Sequence, residues 1–414
     1  MQFIHTSRSS VTPGQSIRKT LINYLCGRLA KLPCRAVRYT EWMQLISIRC
    51  IYHNLNIFQY MFQFLHSVCT AQYSAQAINQ GFPGKTSVKS ILLAFTIVAV
   101  SGVSGASAAD SLLYFEVQGI AGYSSMDDGV VYHSGHRHDV MQKNGIGFDY
   151  IKKLSGEYGD WGTGALQMRL AWNDSDNRPQ LQIYNAWLKL KTSLADVWVG
   201  HNRVPYGLAA WLDTHAELLH LLSMSGFGFD RDWGAGINRD FTKGDFAAAV
   251  TTGSGMGLKT KGNWIVASRA SYGVLSQDNY NFGVSFMGGK MLDTMGYELM
   301  DDNPKDTLLG GVDFAWNYYR VEHKAEFDFG QKNEKAAVAA LYRLGYNFLE
   351  ENRLKLEGQY TWTKREGTND AVFGFGATYK VNSNLTARAM YQWDREMSDN
   401  RVVFQLYYYR LFRR

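Results

Sequence analysis

The chain has 414 residues and a formal net charge of +6, but the charge is unevenly spread. Residues 1–108 hold 10 Lys and Arg against one acid, Glu41, whereas residues 109–414 hold 33 Lys and Arg against 36 Asp and Glu, so the excess of base belongs to the leader and argues for no nucleic-acid surface on the rest. All four cysteines, Cys26, Cys34, Cys50 and Cys69, also lie in the leader, which excludes disulfides and thiolate metal or redox chemistry from residues 109–414.

In chain order, residues 1–84 show no clean amphipathic period. A secretory signal follows over 85–108. Lys85 and Lys89 form the positive region, Ser90–Val100 the apolar run, and Ala106-Ser107-Ala108 an A-x-A cleavage site. The apolar run is too short to span a membrane as a helix. Such a signal belongs at an N-terminus, so residues 1–84 read as a non-native upstream extension or a disordered one, with Val88 as a GTG start codon. The alternative is a genuine basic extension. Cleavage after Ala108 leaves one domain, 109–414. Its longest uncharged stretch is 13 residues, Phe246–Leu258, which excludes helical membrane spans.

From there the pattern is alternation. In Ala165–Trp172, Leu166, Met168, Leu170 and Trp172 share one face, and Gln167 and Arg169 the other. Lys355, Glu357, Gln359 and Thr361 oppose Leu354, Leu356, Tyr360 and Trp362; Glu322, Lys324, Glu326 and Asp328 oppose Val321, Ala325, Phe327 and Phe329. About sixteen such segments are predicted, at 112–124, 145–154, 162–173, 181–191, 194–201, 233–241, 244–252, 263–274, 279–290, 307–319, 320–330, 336–348, 353–364, 370–381, 384–395 and 401–412. Short turns alternate with longer polar connections at 125–144, 173–180, 202–232 and 291–306. A backbone group left unpaired in hydrocarbon costs several kcal/mol, so strands that are apolar on one face and long enough to cross a bilayer have to close on themselves. The expectation is an all-β, transmembrane antiparallel barrel in the bacterial outer membrane, with Tyr123, Trp172, Tyr184, Trp264, Trp316, Tyr318, Tyr346, Trp362 and Trp393 near the strand ends, at headgroup depth. A soluble β-sandwich fits less well, because its strands are shorter and the aromatic content here is 14%.

Two segments carry a resemblance. Tyr184–Leu208, YNAWLKLKTSLADVWVGHNRVPYGL, is similar to the hairpin and Gly…Pro-aromatic-Gly loop start of the outer-membrane porins related to the phosphate-selective porins O and P. Arg401–Phe412 resembles the terminal strand read by the outer-membrane assembly machinery, although Arg413 and Arg414 follow the aromatic Phe412. The resemblance implies a sixteen-stranded porin, often a homotrimer, among outer-membrane lipid and lipopolysaccharide. It does not carry phosphate selectivity, because no arginine ladder or lysine cluster matches residue by residue.

Alternation assigns Arg169, Lys189, Lys191, Arg269, Lys324, Arg343, Lys355 and Arg388 to the lumen, together with Asp313, Glu322, Glu326, Asp328 and Glu357. Mixed signs predict weak ion selectivity or a transverse field. The longest connection, Asn202–Asp232, follows the fifth strand. Helical spacing over Leu208–Met224 places Asp213, His215, Glu217 and His220 on a constriction loop, whose Leu218, Leu219, Leu221 and Leu222 would pack on the inner wall; an outer flap is the alternative. Three imidazoles in His133–Asp139 offer metal ligands, but a solvated surface loop explains them better. His201 and His323 stand alone, no Ser sits at a suggestive spacing, and Gly253–Gly257 (GSGMG) lacks a phosphate loop's Lys and reads as turn chemistry. No enzyme, cofactor or resident metal is expected. The function read from these residues is passive passage of small hydrophilic solutes or ions. The alternative is a scaffold barrel around a partner such as a multihaem electron carrier.

Overall fold

The computed structural model describes residues 111–126, 128–131, 142–157, 159–173, 178–212, 215, 217–365 and 367–412. The leader, the signal, the His133–Asp139 run and Asp213 lie outside the described residues. The strands are β1 (Ser111–Ser124), β2 (Gly129–Val131), β3 (Gly145–Gly156), β4 (Gly159–Asn173), β5 (Arg178–Leu190), β6 (Asp196–Arg203), β7 (Arg231–Phe241), β8 (Gly244–Thr251), β9 (Trp264–Tyr272), β10 (Tyr280–Met295), β11 (Glu298–Tyr318), β12 (Val321–Lys332), β13 (Lys335–Phe348), β14 (Leu354–Arg365), β15 (Thr368–Lys380), β16 (Leu385–Asp394) and β17 (Asp399–Phe412). Every ladder is antiparallel, and each long strand pairs with its neighbours in sequence. β1 pairs with β3 on one side and with β17 on the other, Leu113 opposite Phe412 and Ser124 opposite Arg401. The sheet is therefore a closed barrel of sixteen long strands, with β2 a short addition at the first hairpin.

Closure with period-2 side chains gives an inverted distribution. Phe282, Val284, Phe286, Phe373, Phe375, Phe404 and Leu406 are exposed on the outer wall; Glu116, Arg169, Arg269, Asp313, Glu326, Asp328 and Arg343 are buried on the inner one. Phe375 is 60% exposed and Asp328 0%. Water would not sort a chain this way, whereas lipid outside and a polar lumen would. Tyr123, Trp172, Trp264, Trp316, Tyr318, Tyr346 and Trp393 all stand exposed on the outer wall. The turn between β12 and β13 is Asn333-Glu334, both with positive φ (52° and 63°), the backbone of a type I′ turn that matches strand twist.

Three expectations are corrected. The polar connection 291–306 is not an open loop: β10 and β11 continue through it and turn at Gly296-Tyr297. The alternation fails there because the ladder slips between Met291 and Asp293 and again between Asp293 and Thr294. Tyr184 is not at the outer rim. A slip between Gln167 and Met168 makes it the extra, bulged residue of β5, and its side chain is 8% exposed, beneath Arg231. Lys191 lies past the end of β5, exposed at a short turn, and does not line the lumen.

Candidate functional site

The connection between β6 and β7 runs inside the barrel. Val204, Tyr206, Leu208, Leu221, Leu222 and Phe227 are almost fully buried against Ile265, Met287, Leu309 and Leu341 of the wall. Burying each large apolar side chain contributes about 1.5–3 kcal/mol, which holds the segment inward. Leu218 and Leu219 pack on Ile120, Met390 and Val403 on the far side. The loop thus touches β1, β9–β11, β13, β16 and β17. Gly207 starts it at φ 57°, where a Cβ would overlap the Glu326 carboxylate, so only glycine fits. Its N–H donates to Ser285 Oγ at 3.0 Å.

Among the described residues, the helical spacing over Leu208–Met224 is realised only as short 3-10 turns, Leu208–Ala210 and Leu222–Ser225. The loop carbonyls find other partners. Arg343 donates to Leu219 O (2.9 Å) and His220 O (3.4 Å), Gln359 to His220 O (2.8 Å) and Arg365 to Ser225 O (2.9 Å). Wall side chains take the acceptors that an α-helix would have used internally.

The charges assigned to the lumen fall into three groups. Arg269 donates to both oxygens of Asp313, at 2.9 and 2.7 Å, near the buried Glu326 and Asp328; Tyr206 donates to Asp328 at 3.0 Å. Lower on the wall Lys355 bridges Glu322 (2.8 Å) and Glu357 (2.9 Å), with Lys324 3.6 Å from Glu322. Arg343 pairs with Glu217 at 2.8 Å, and Arg388 donates to Gln405 at 3.0 Å. Arg169 is apart from these, among Gln118, Gln142 and Gln182. Lys189 Nζ lies 5.7 Å from the Trp187 ring. His215 reaches across to Glu116 on β1 at 2.6 Å and lies 4.2 Å from the Tyr184 ring. The lumen is thus crossed by the loop and lined by charges that are mostly paired in place.

A second element enters from the β10–β11 hairpin. The Tyr297 hydroxyl at its tip donates to Ile183 O on β5 at 2.6 Å, and Glu298 lies 3.6 Å from Lys143. The GSGMG stretch braces it: Leu292 N–H donates to Gly253 O at 2.9 Å, while the N–H groups of Gly253, Ser254 and Gly255 surround the Asp232 carboxylate at 2.5–3.3 Å. Tyr297→Phe removes the crossing bond and is expected to cost about 1 kcal/mol, read as a small fall in unfolding midpoint.

No protein-family model matches the chain, and no curated protein matches it. Solved structures do. OmpT, an outer membrane protein of Vibrio cholerae in its trimer form, superposes with a TM-score of 0.54 at 10% identity, covering 73% of this chain and 100% of that one. Salmonella typhi OmpF, solved with daunomycin, gives 0.51 at 11% identity over 72% and 97%. An anion-selective porin from Comamonas acidovorans gives 0.50 at 9% over 73% and 99%. The chain has the porin fold. Within that fold, sequence reasoning missed Glu116, Tyr206, Arg231, Asp232 and Tyr297. Glu116 was open to it, since Glu116 and Gln118 alternate with Phe115 and Val117 in the first segment; the others sit where the alternation stops.

The loop of this porin-fold barrel has an acid-sensitive tie. Burial raises the Glu217 carboxyl, but Arg343 and then Lys324 outweigh it and hold the group below its ordinary value of 4.5. A depressed carboxyl stabilises above its unfolded value, and that contribution is lost as pH falls through the lowered folded one. Protease resistance of the loop is therefore expected to be steady from neutrality to about pH 5 and to fall only under stronger acid. Glu217→Gln should be more readily cleaved already at neutral pH.

Proposed function

We propose that the chain forms a water-filled channel in the bacterial outer membrane for passive diffusion of small hydrophilic solutes or ions. The observation that carries this reading is the pairing of a closed, outwardly apolar barrel with a charged inner wall narrowed by its own β6–β7 loop. Because Arg269–Asp313, Lys355–Glu322 and Arg343–Glu217 are paired, little net charge is left to select between ions. A scaffold role is disfavoured, since two inward elements occupy the space a threaded partner would need. The likeness of Tyr184–Leu208 to the porins related to porins O and P, and the OmpT trimer, support a homotrimer in outer-membrane lipid. Reconstituted protein in a planar bilayer is expected to give stepwise current in KCl with a small reversal potential across a salt gradient. Silence under those conditions would sink the channel reading.

A further inference from the structure

The two inward elements and the β4–β5 wall enclose a cavity of about 60 Å³. Its surface does not suit an inorganic ion. Met224, Phe229, Met256, Met295 and Tyr297 make most of it apolar. Its charges are unequal in a telling way. Asp230 pairs with Arg231, and Lys143 with Glu298, so these cancel. Arg169 remains. It is 5% exposed, and among the described residues its guanidinium donates only to amide oxygens: Nε and Nη2 to Gln182 at 3.1 and 2.9 Å, and Nη1 to Gln142 at 3.2 Å and Gln118 at 3.5 Å. Glu116 is near enough to feel its charge but is engaged by His215 and Tyr407. Amide dipoles solvate a buried cation without neutralising it, so the guanidinium keeps its charge in a dry setting, offset only in part by Glu116. Ser223 Oγ also lines the cavity, buried and without a hydrogen-bond partner among the described residues.

We infer that this cavity is a selectivity site for short-chain organic monocarboxylates: the carboxylate sits on Arg169 and Ser223, and the alkyl tail lies among the methionines. A guanidinium matches a planar carboxylate with two parallel N–H donors, and the carboxylate would take the Nε–H and Nη2–H that Gln182 Oε1 accepts in the structure. Flexible thioethers accommodate tails of differing length. Inorganic phosphate would satisfy the charge but leave the apolar surface unfilled and would have to shed more hydration.

The inference rests on the channel reading, and its test separates the two. The purified full-length protein is titrated with butyrate or phosphate, both by calorimetry in detergent micelles and as added solute during KCl current recording. Butyrate is expected to bind saturably and to interrupt the current, and phosphate at equal concentration to do neither. Arg169→Gln should weaken butyrate by about tenfold to a hundredfold, as loss of a charge-assisted bond implies. Should that variant fail to fold, Met295→Gln tests the tail side: it should weaken butyrate several-fold more than acetate, by about the worth of a few buried methylenes. Channels that conduct KCl yet ignore butyrate in both assays overturn the site and leave the channel standing. Equal response to phosphate, or an Arg169→Gln protein that binds butyrate as before, also overturns it. Saturable butyrate binding without any KCl current would support the site while removing the channel.

Discussion

Replacing Arg343 with alanine is expected to release the inward loop and raise the unitary conductance. Arg343 is 1% exposed and serves four partners at once: Gln359 (2.6 Å), Glu217 (2.8 Å), Leu219 O (2.9 Å) and His220 O (3.4 Å). Alanine leaves the Glu217 carboxylate, Leu219 O and Gln359 Oε1 without this donor in a mostly dry site, while His220 O keeps Gln359. The cost is about 3 kcal/mol, concentrated on the loop and not on the ladders. Barrel circular dichroism should be unchanged while single-channel records show larger, more variable steps. Arg343→Lys should recover little, because an ammonium cannot span the same fork. If the alanine variant conducts like the parent, Arg343 does not hold the loop, and its leucines and remaining hydrogen bonds suffice.

The second large effect concerns the outside. Phe375 stands at the middle of β15, 60% exposed, and Phe375→Arg has opposite expected signs under the two possible solvents. In water, removing an exposed phenylalanine is neutral or favourable. In a bilayer an arginine at the midplane costs about 2–4 kcal/mol. Reversible urea unfolding from lipid vesicles is expected to show that loss, whereas a substitution at the neighbouring inward position would not reproduce it through desolvation by lipid. A Phe375→Arg protein as stable in vesicles as the parent would contradict the membrane assignment.

Most of the barrel was legible because alternation is a local signal that lipid on one face and water on the other make strict. The predicted segments 145–154, 233–241 and 401–412 fall within two residues of β3, β7 and β17 at each end. The inward packing of Leu218, Leu219, Leu221 and Leu222 was legible for a related reason: such a leucine cluster in a polar connection needs an apolar partner. What eluded the sequence is whatever closure brings together. Glu116 and His215 are 99 residues apart, and no local feature pairs them. Nor does anything mark the extra residue at Tyr184, which shifts the parity of a strand by one and turns an expected rim aromatic inward. The hairpin over 291–306 was hidden because two ladder slips break its parity, and charges such as Asp293 and Lys305 pair with each other (3.7 Å), so the two-sided pattern dissolves.

The seam between β1 and β17 is bonded like every other ladder, with continuous register from Leu113–Phe412 to Ser124–Arg401. Nothing in the finished cylinder distinguishes this join from the fifteen others between long strands. A circularly permuted gene, with these two strands linked by a short connector and new termini opened at Asn333-Glu334, should therefore rebuild the same cylinder. Its assembly would then start from a different strand, which separates what the folded state needs from what the cell's insertion route reads.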